Sequence, residues 1–152
     1  MTTHNFRATG WHNVLGTLPP ALTVASGDTV VTETIDAHGF DKHGVKRAPE
    51  PNPMNGPVFV TGAEPGDALK VEIVRMTPIR ATGWTRASLA GNVVEPEFVR
   101  GLPPREKVNW RIDLEALTAT LDPPVAGLKD FVLPLQPMLG SAASWCRSTT
   151  VR

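Results

Sequence analysis

Apolar and polar residues alternate along much of the chain with the period of β-strands. Residues 19–35 contain two segments rich in β-branched side chains, separated by a Ser-Gly-Asp turn at 26–28. A second pair runs from 56–62 to 68–76 across a Pro-Gly-Asp turn at 65–67, whose residue types suit a tight reversal. The pattern therefore predicts two successive β-hairpins.

The last of these four segments has the clearest one-sided pattern. Leu69, Val71 and Ile73 alternate with Lys70 and Glu72. Side chains two residues apart lie on the same face of a strand, so this segment is typical of a sheet with one buried face. We expect its three aliphatic side chains to be covered.

Weaker strand patterns continue through the second half of the sequence. These patterns cover residues 93–99, 108–114, 117–121 and 131–135. Gly and Pro residues separate them, and the 13 Gly and 15 Pro residues of the chain leave few uninterrupted stretches long enough for a helix. Short strands at this spacing predict a mainly β fold of the sandwich or barrel type.

A long polar segment, residues 36–55, separates the two predicted hairpins and carries most of the candidate chemistry. It opens with two carboxylates and two imidazoles in the pattern Asp36, His38, Asp41, His43. Such oxygen and nitrogen donors suit zinc or another divalent ion, and they also suit acid/base work. The spacing has no fixed period, so solvated loop residues are an equal alternative.

Glu33 is a second candidate because it lies near the end of a predicted strand, where side chains often enter a site. An outward-facing sheet glutamate is the simpler alternative. The motifs of serine hydrolases and dinucleotide-binding proteins do not occur in the sequence. Cys146, the single cysteine, cannot form an internal disulfide and is interpreted as an inert thiol.

Composition and charge limit the classes of partner that the protein is expected to bind. Fifteen basic and 15 acidic residues give a net charge of zero, so the protein has no net positive charge to attract the phosphates of nucleic acid. No apolar run approaches the length of a membrane helix, and the first residues do not resemble a secretion signal. We therefore expect a cytoplasmic protein that binds neither nucleic acid nor membranes.

Several strings of the sequence together resemble the acetamidase/formamidase family. The most specific is residues 52–69, which combine Asn-Pro, Gly-Pro-Val and Gly-Ala-Glu-Pro-Gly-Asp. Residues 20–30, 33–37 and 133–140 match further family segments. The resemblance covers residues 11–140.

The resemblance implies a mainly β enzyme that hydrolyses the carbon–nitrogen bond of small linear amides such as formamide or acetamide. Asp36 and Glu33 match the family's acidic segment and are expected to activate water or bind an ion, with His38 as a metal ligand or proton donor. Asn52 is expected to orient the amide through its side chain, and a turn-forming Asn before proline is the alternative.

The resemblance ends after Gly140. Residues 141–152 look unrelated to the family, whose members are longer and carry a further glycine-rich segment with Asp and His. We therefore expect residues 1–140 to be the amino-terminal half of a larger enzyme, weak or inactive alone, followed by an aberrant tail. Its expected partners are the missing carboxyl-terminal half or a second copy, and the alternative function is a non-catalytic β module for binding or assembly.

Overall fold

The structure is a computed structural model that describes residues 1–14, 16, 18–86, 89–104 and 106–138. These ranges contain eight β-strands and two short 3₁₀-helices, so the predicted mainly β class is confirmed. The strands form open sheets, and no closed barrel occurs in this part of the chain. The chain divides into two compact units, Met1–Ile73 and Val74–Met138. The predicted tail at 141–152, Cys146 included, lies outside the described residues.

The first unit contains two parallel strand pairs. Strand β1 (Thr3–Phe6) pairs with β3 (Thr29–Thr32), and β2 (Leu22–Val24) pairs with β4 (Val58–Val60). The strands on either side of the Ser-Gly-Asp turn were correctly predicted, but the hairpin was wrong, because β2 and β3 pair with other strands. Parallel pairs join segments that are distant in sequence, so an alternation pattern does not reveal them.

The turn between β2 and β3 is closed by the side chain of Asp28. Its backbone N–H donates to Ala25 O at 3.1 Å, and its Oδ2 accepts from Ala25 N at 3.0 Å. Its Oδ1 also accepts from Thr2 N at 2.7 Å, and Oδ2 from His4 Nε2 at 3.0 Å. The carboxylate therefore links the turn to β1 as well as closing it.

The second predicted hairpin is also wrong, because residues 68–76 do not form a strand in the structure. Every residue from 61 to 75 is exposed. The exposed fractions of Leu69, Val71 and Ile73 are 52%, 69% and 62%, where the pattern predicts a covered face. A strand needs a neighbour to satisfy its backbone, and no described strand pairs with this segment.

The second unit is a four-stranded antiparallel sheet. Its order is β5 (Thr82–Arg86), β6 (Lys107–Asp113), β7 (Thr118–Leu121) and β8 (Val132–Pro134). The last three confirm the predicted strands, and β5 was missed.

The predicted strand at 93–99 is wrong. The 3₁₀-helices Gly91–Val93 and Pro96–Gly101 occupy this region. The ring of Pro96 fixes φ at a value suited to the first helical position, and this preference outweighs the short apolar alternation.

Little apolar surface is buried. Among the described residues, Val24, Ala48 and Ala119 are the buried hydrophobic residues. Large hydrophobic side chains with exposed fractions of 42% or more occur in both units; they include Val31, Phe59, Val71, Phe98, Phe131 and Val132. The two-stranded sheets of the first unit therefore carry apolar side chains that the described chain leaves uncovered.

Candidate functional site

The polar loop between β3 and β4 begins with two identical turns in tandem. Asp36 Oδ1 accepts from the backbone N–H groups of His38 and Phe40 at 3.0 and 2.9 Å. Asp41 Oδ1 accepts from those of His43 and Val45, at 2.9 Å in both cases. Each five-residue unit reads Asp-x-His-Gly-apolar, so the Asp-and-His pattern of the sequence is first of all a repeated turn.

Backbone geometry supports this interpretation of the repeat. The N–H of each Asp donates to the carbonyl four residues later, at 2.9 Å from Asp36 to Phe40 and 3.0 Å from Asp41 to Val45. Gly39 and Gly44 adopt φ values of 84° and 75°, a region that favours glycine. The repeated Asp-x-His-Gly spacing in the sequence indicates this duplication. Interpreting the same residues as a set of ligands does not take the repeat into account.

The carboxylate of Asp41 is held by a basic side chain as well as by the turn. Arg47 Nε donates to Asp41 Oδ2 at 2.7 Å. The hydrogen bond from the Val45 amide, followed by that from Arg47, lowers the pKa of Asp41 to about 2. Asp41 is therefore an anion at neutral pH whose contacts stabilise the loop.

Glu33 lies one residue beyond β3, where the sequence placed it, and forms an ion pair. Lys42 Nζ donates to Glu33 Oε1 at 2.8 Å, and the Glu33 side chain is 59% exposed. This hydrogen bond is the largest cause that lowers the pKa of Glu33 below its ordinary 4.5, with further lowering by the charges of Lys42, Arg7 and His43. A carboxylate stabilised in this way is a weak base.

A shallow cavity of about 190 Å³ lies beside Glu33. Its walls come from β1, β3 and the residues that follow each of them: Asn5, Phe6, Arg7, Val31, Thr32 and Glu33. Asn55 holds the end of β3 here, because its Nδ2 donates to Thr32 Oγ1 at 3.1 Å and to Glu33 O at 3.3 Å. Nothing in the sequence pattern had marked Asn55.

His38 projects from the first turn and contacts the carboxylate of Glu50. The contact joins His38 Nδ1 to Glu50 Oε2, and the two side chains are 35% and 54% exposed. A carboxylate beside one ring nitrogen fixes the orientation of an imidazole. No sequence pattern marks Glu50, because eleven residues of irregular loop separate it from His38 and no spacing rule connects the two.

Asn52 adopts a left-handed backbone conformation, with φ of 48°, between two prolines. Its N–H donates to Ala37 O at 2.7 Å, which ties the 50–53 segment to the first turn. Asn13 supports the same segment, because its Nδ2 donates to the carbonyls of Pro49 at 2.9 Å and Pro51 at 2.6 Å. The loop is therefore fixed at several points despite its irregular path.

Three of the four sequence-predicted residues thus share one hydrogen-bonded loop. Asp36 and His38 lie in the first turn, and Asn52 is bonded to the residue between them. Glu33 instead faces Lys42, which belongs to the second turn. The loop brings an imidazole, its carboxylate partner and an exposed amide side chain to one region of the first unit.

The two predicted ligands of a divalent ion, Asp36 and His38, both have contacts within the loop. Asp36 Oδ1 already accepts two amides, and His38 Nδ1 contacts Glu50. Within the described ranges, no group of three or more His, Cys, Asp or Glu side chains is placed to hold a metal ion. A metal bound by Asp36 and His38 would need further ligands from elsewhere.

Comparison of the chain with protein-family models, with curated proteins and with solved structures gave no match in any of the three. In the part of the chain that the structure describes, no helix is both long and apolar enough to cross a membrane.

Proposed function

We propose that residues 1–140 form the amino-terminal part of an amidohydrolase that converts small linear amides to ammonia and a carboxylate. The support from sequence is the resemblance to the acetamidase/formamidase family over residues 11–140. The single structural observation that carries the proposal is the contact between His38 and Glu50, in the same loop as Asp36 and Asn52. An imidazole oriented by a carboxylate is a common arrangement for proton transfer.

The proposed reaction assigns a role to each residue. His38 takes a proton from water while the water oxygen bonds to the amide carbon, and Glu50 keeps the ring oriented. When the carbon–nitrogen bond breaks, the leaving nitrogen receives that proton and departs as ammonia. The exposed Asn52 side chain is suited to hold the amide by complementary hydrogen bonds.

The two predicted catalytic carboxylates differ in what they can contribute. Asp36 keeps the loop in shape through its two amide bonds, so its role in this proposal is to position His38. Glu33 is held by Lys42 and is anionic, which suits it to orient water rather than to remove a proton. Both assignments are part of the proposal.

Exposure of the loop is the physical reason to expect low activity of this chain alone. Glu33 and Glu50 are 59% and 54% exposed, so bulk water surrounds the groups that would act on the substrate. Electrostatic stabilisation of an oxyanion weakens in such surroundings. Full activity of the proposed enzyme, a cytoplasmic protein, therefore requires further residues that cover the loop and stabilise the oxyanion, whereas the chain alone retains slow hydrolysis.

Ammonia release from formamide and acetamide by the purified chain tests this function. We expect slow release that His38→Ala reduces about a hundredfold or more and that His43→Ala leaves unchanged. His43 is a matched control, because it occupies the equivalent position in the second turn. Absence of release from a chain with a β-type circular dichroism spectrum, or equal loss in both variants, contradicts the proposal.

A non-catalytic β module for binding or assembly is the second candidate. The observation that favours it is the number of exposed aliphatic and aromatic side chains beside only three buried hydrophobic residues in the described chain. Uncovered apolar surface is typical of protein interfaces. A folded chain that releases no ammonia but associates with a protein partner supports this module.

A further inference from the structure

Residues 61–75 form the longest run of consecutive exposed positions among the residues that the structure describes. Within it, Leu69, Val71 and Ile73 are more than half exposed and alternate with charged residues. The described strands leave this segment without a neighbour. It therefore has the side-chain pattern of a strand, but the described part of the chain supplies no partner.

We propose that this segment pairs with the same segment of a second copy of the chain, as antiparallel strands related by a two-fold axis at Val71. In this register each Val71 lies opposite the other, and Leu69 of one copy lies opposite Ile73 of the second copy. Leu69, Val71 and Ile73 then share one face of the ribbon, with Asp67 and Arg75 at the two ends of that face. Lys70 and Glu72 share the other face, flanked by Ala68 and Val74. The proposal is independent of the proposed hydrolysis.

Charge complementarity selects this register. With the axis at Val71, Lys70 of one copy lies opposite Glu72 of the second copy, and the symmetry creates this opposite-charge pair twice. Cross-strand neighbours of opposite charge stabilise a sheet, whereas like charges destabilise it.

Neighbouring registers are less favourable. An axis at Lys70 places the two Lys70 side chains opposite each other, and an axis at Glu72 does the same for the two glutamates. An axis between adjacent residues, such as Lys70 and Val71, places charged side chains beside aliphatic ones. Among these registers, the one with its axis at Val71 therefore gives the most favourable cross-strand pairs.

The ends of the segment agree with the same register. Asp67 of one copy lies opposite Arg75 of the second copy, a further pair of opposite charges. Asp67 also closes the preceding turn, since Glu64 N donates to its Oδ2 at 2.9 Å and its own N–H donates to Glu64 O at 3.1 Å. The turn directs the chain into the proposed strand from a fixed starting point.

Charge reversal tests the pairing by sedimentation equilibrium. We expect wild-type dimers, a dimer dissociation constant raised about tenfold or more by Lys70→Glu or Glu72→Lys, and recovery in the double variant. An equimolar mixture of the two single variants should form heterodimers, because each supplies the charge that the other lacks. Lys129→Glu is the control for a reversed charge on another exposed residue.

Disulfide cross-linking tests the register directly, in a Cys146→Ser background. Val71→Cys should form disulfide-linked dimers, because directly opposite Cα atoms in an antiparallel pair are about 4.5–5.5 Å apart. Ile73→Cys alone should not, whereas its mixture with Leu69→Cys should. A monomeric wild-type chain, association indifferent to both charge reversals, or equal cross-linking by Val71→Cys and Ile73→Cys overturns the proposal.

Discussion

Gly39 and Gly44 occupy the same position in two successive turns, yet only Gly39 is packed against another part of the loop. The Ala48 carbonyl oxygen fills the space that a Cβ on Gly39 would need, whereas nothing lies within 4 Å of a Cβ built on Gly44. Ala48 is among the few buried residues of the first unit. The first turn is therefore part of the packed structure, and the second is an exposed copy of it.

This difference predicts unequal effects of the same substitution. We expect Gly39→Ala to lower the free energy of unfolding by about 3 kcal/mol or more, because backbone strain adds to displacement of the Ala48 carbonyl. Gly44→Ala should cost only the strain of a positive φ, about 1–2 kcal/mol. Urea unfolding followed by circular dichroism measures both. Equal losses in the two variants would contradict packing of the first turn against Ala48.

Asp28 predicts how stability depends on pH. Its hydrogen bond with His4, followed by those from the Ala25 and Thr2 amides, holds the pKa of the carboxyl well below its ordinary 3.8. A lowered folded-state pKa stabilises the fold above the ordinary value, and this contribution is lost as pH falls toward the folded-state pKa. The stability difference between wild type and Asp28→Asn should therefore shrink between about pH 5 and pH 2.

Asp67→Asn is the matched control for that titration. Asp67 closes the equivalent turn by accepting from Glu64 N, while the bonds to Thr2 and His4 in β1 belong to Asp28. We expect the loss in stability at pH 7 to be larger for Asp28→Asn than for Asp67→Asn, measured by urea unfolding. Identical losses would mean that the link between the turn and β1 adds nothing.

Local patterns explain which parts of this fold were predictable from the sequence. The Gly-Asp turns at 27–28 and 66–67 are set by residues three apart, and the structure closes both in the same way. The pairing of β1 with β3, and of β2 with β4, depends on segments far apart in sequence, so alternation identified strands without identifying their neighbours. For Leu69–Ile73 the same alternation does not produce a strand within the described chain, because a strand also requires a partner.

In the candidate site, too, the residues were predictable from the sequence but their contacts were not. Glu33, Asp36 and His38 were recognisable by residue type and by their position at or just after the end of a predicted strand, and Asn52 by residue type within the segment that carries the resemblance. Their contacts were not, because Glu50, Lys42 and Asn55 meet them across an irregular loop. Side-chain hydrogen bonds across such a loop follow no sequence period.

Asn13 predicts how firmly the loop is held. Removing its two bonds to the carbonyls of Pro49 and Pro51 in Asn13→Ala should loosen the segment that carries Glu50 and Asn52. The Asn52 amide, which donates to Ala37 O, should then exchange with solvent faster by about tenfold, measured by hydrogen exchange with NMR.

Asn55→Ala is the comparison for that experiment, because Asn55 bonds the end of β3 instead of the 49–51 segment. We expect it to accelerate exchange near Glu33 and to leave the Asn52 amide close to its wild-type rate. Faster exchange at Asn52 in both variants would show that the whole loop opens as one unit rather than in two parts.

The contact between Glu50 and His38 predicts a charge-dependent effect on the proposed hydrolysis. Glu50→Gln preserves the size of the side chain but removes the negative charge beside His38 Nδ1. Because an imidazolium forms when His38 takes a proton, we expect kcat for formamide to fall about tenfold with little change in KM. Glu64→Gln removes an exposed carboxylate elsewhere in the first unit and should leave kcat unchanged. An unchanged kcat in Glu50→Gln, with or without a change in KM, would show that Glu50 takes no part in the proton transfer. Its contact with His38 would then serve only to hold the loop.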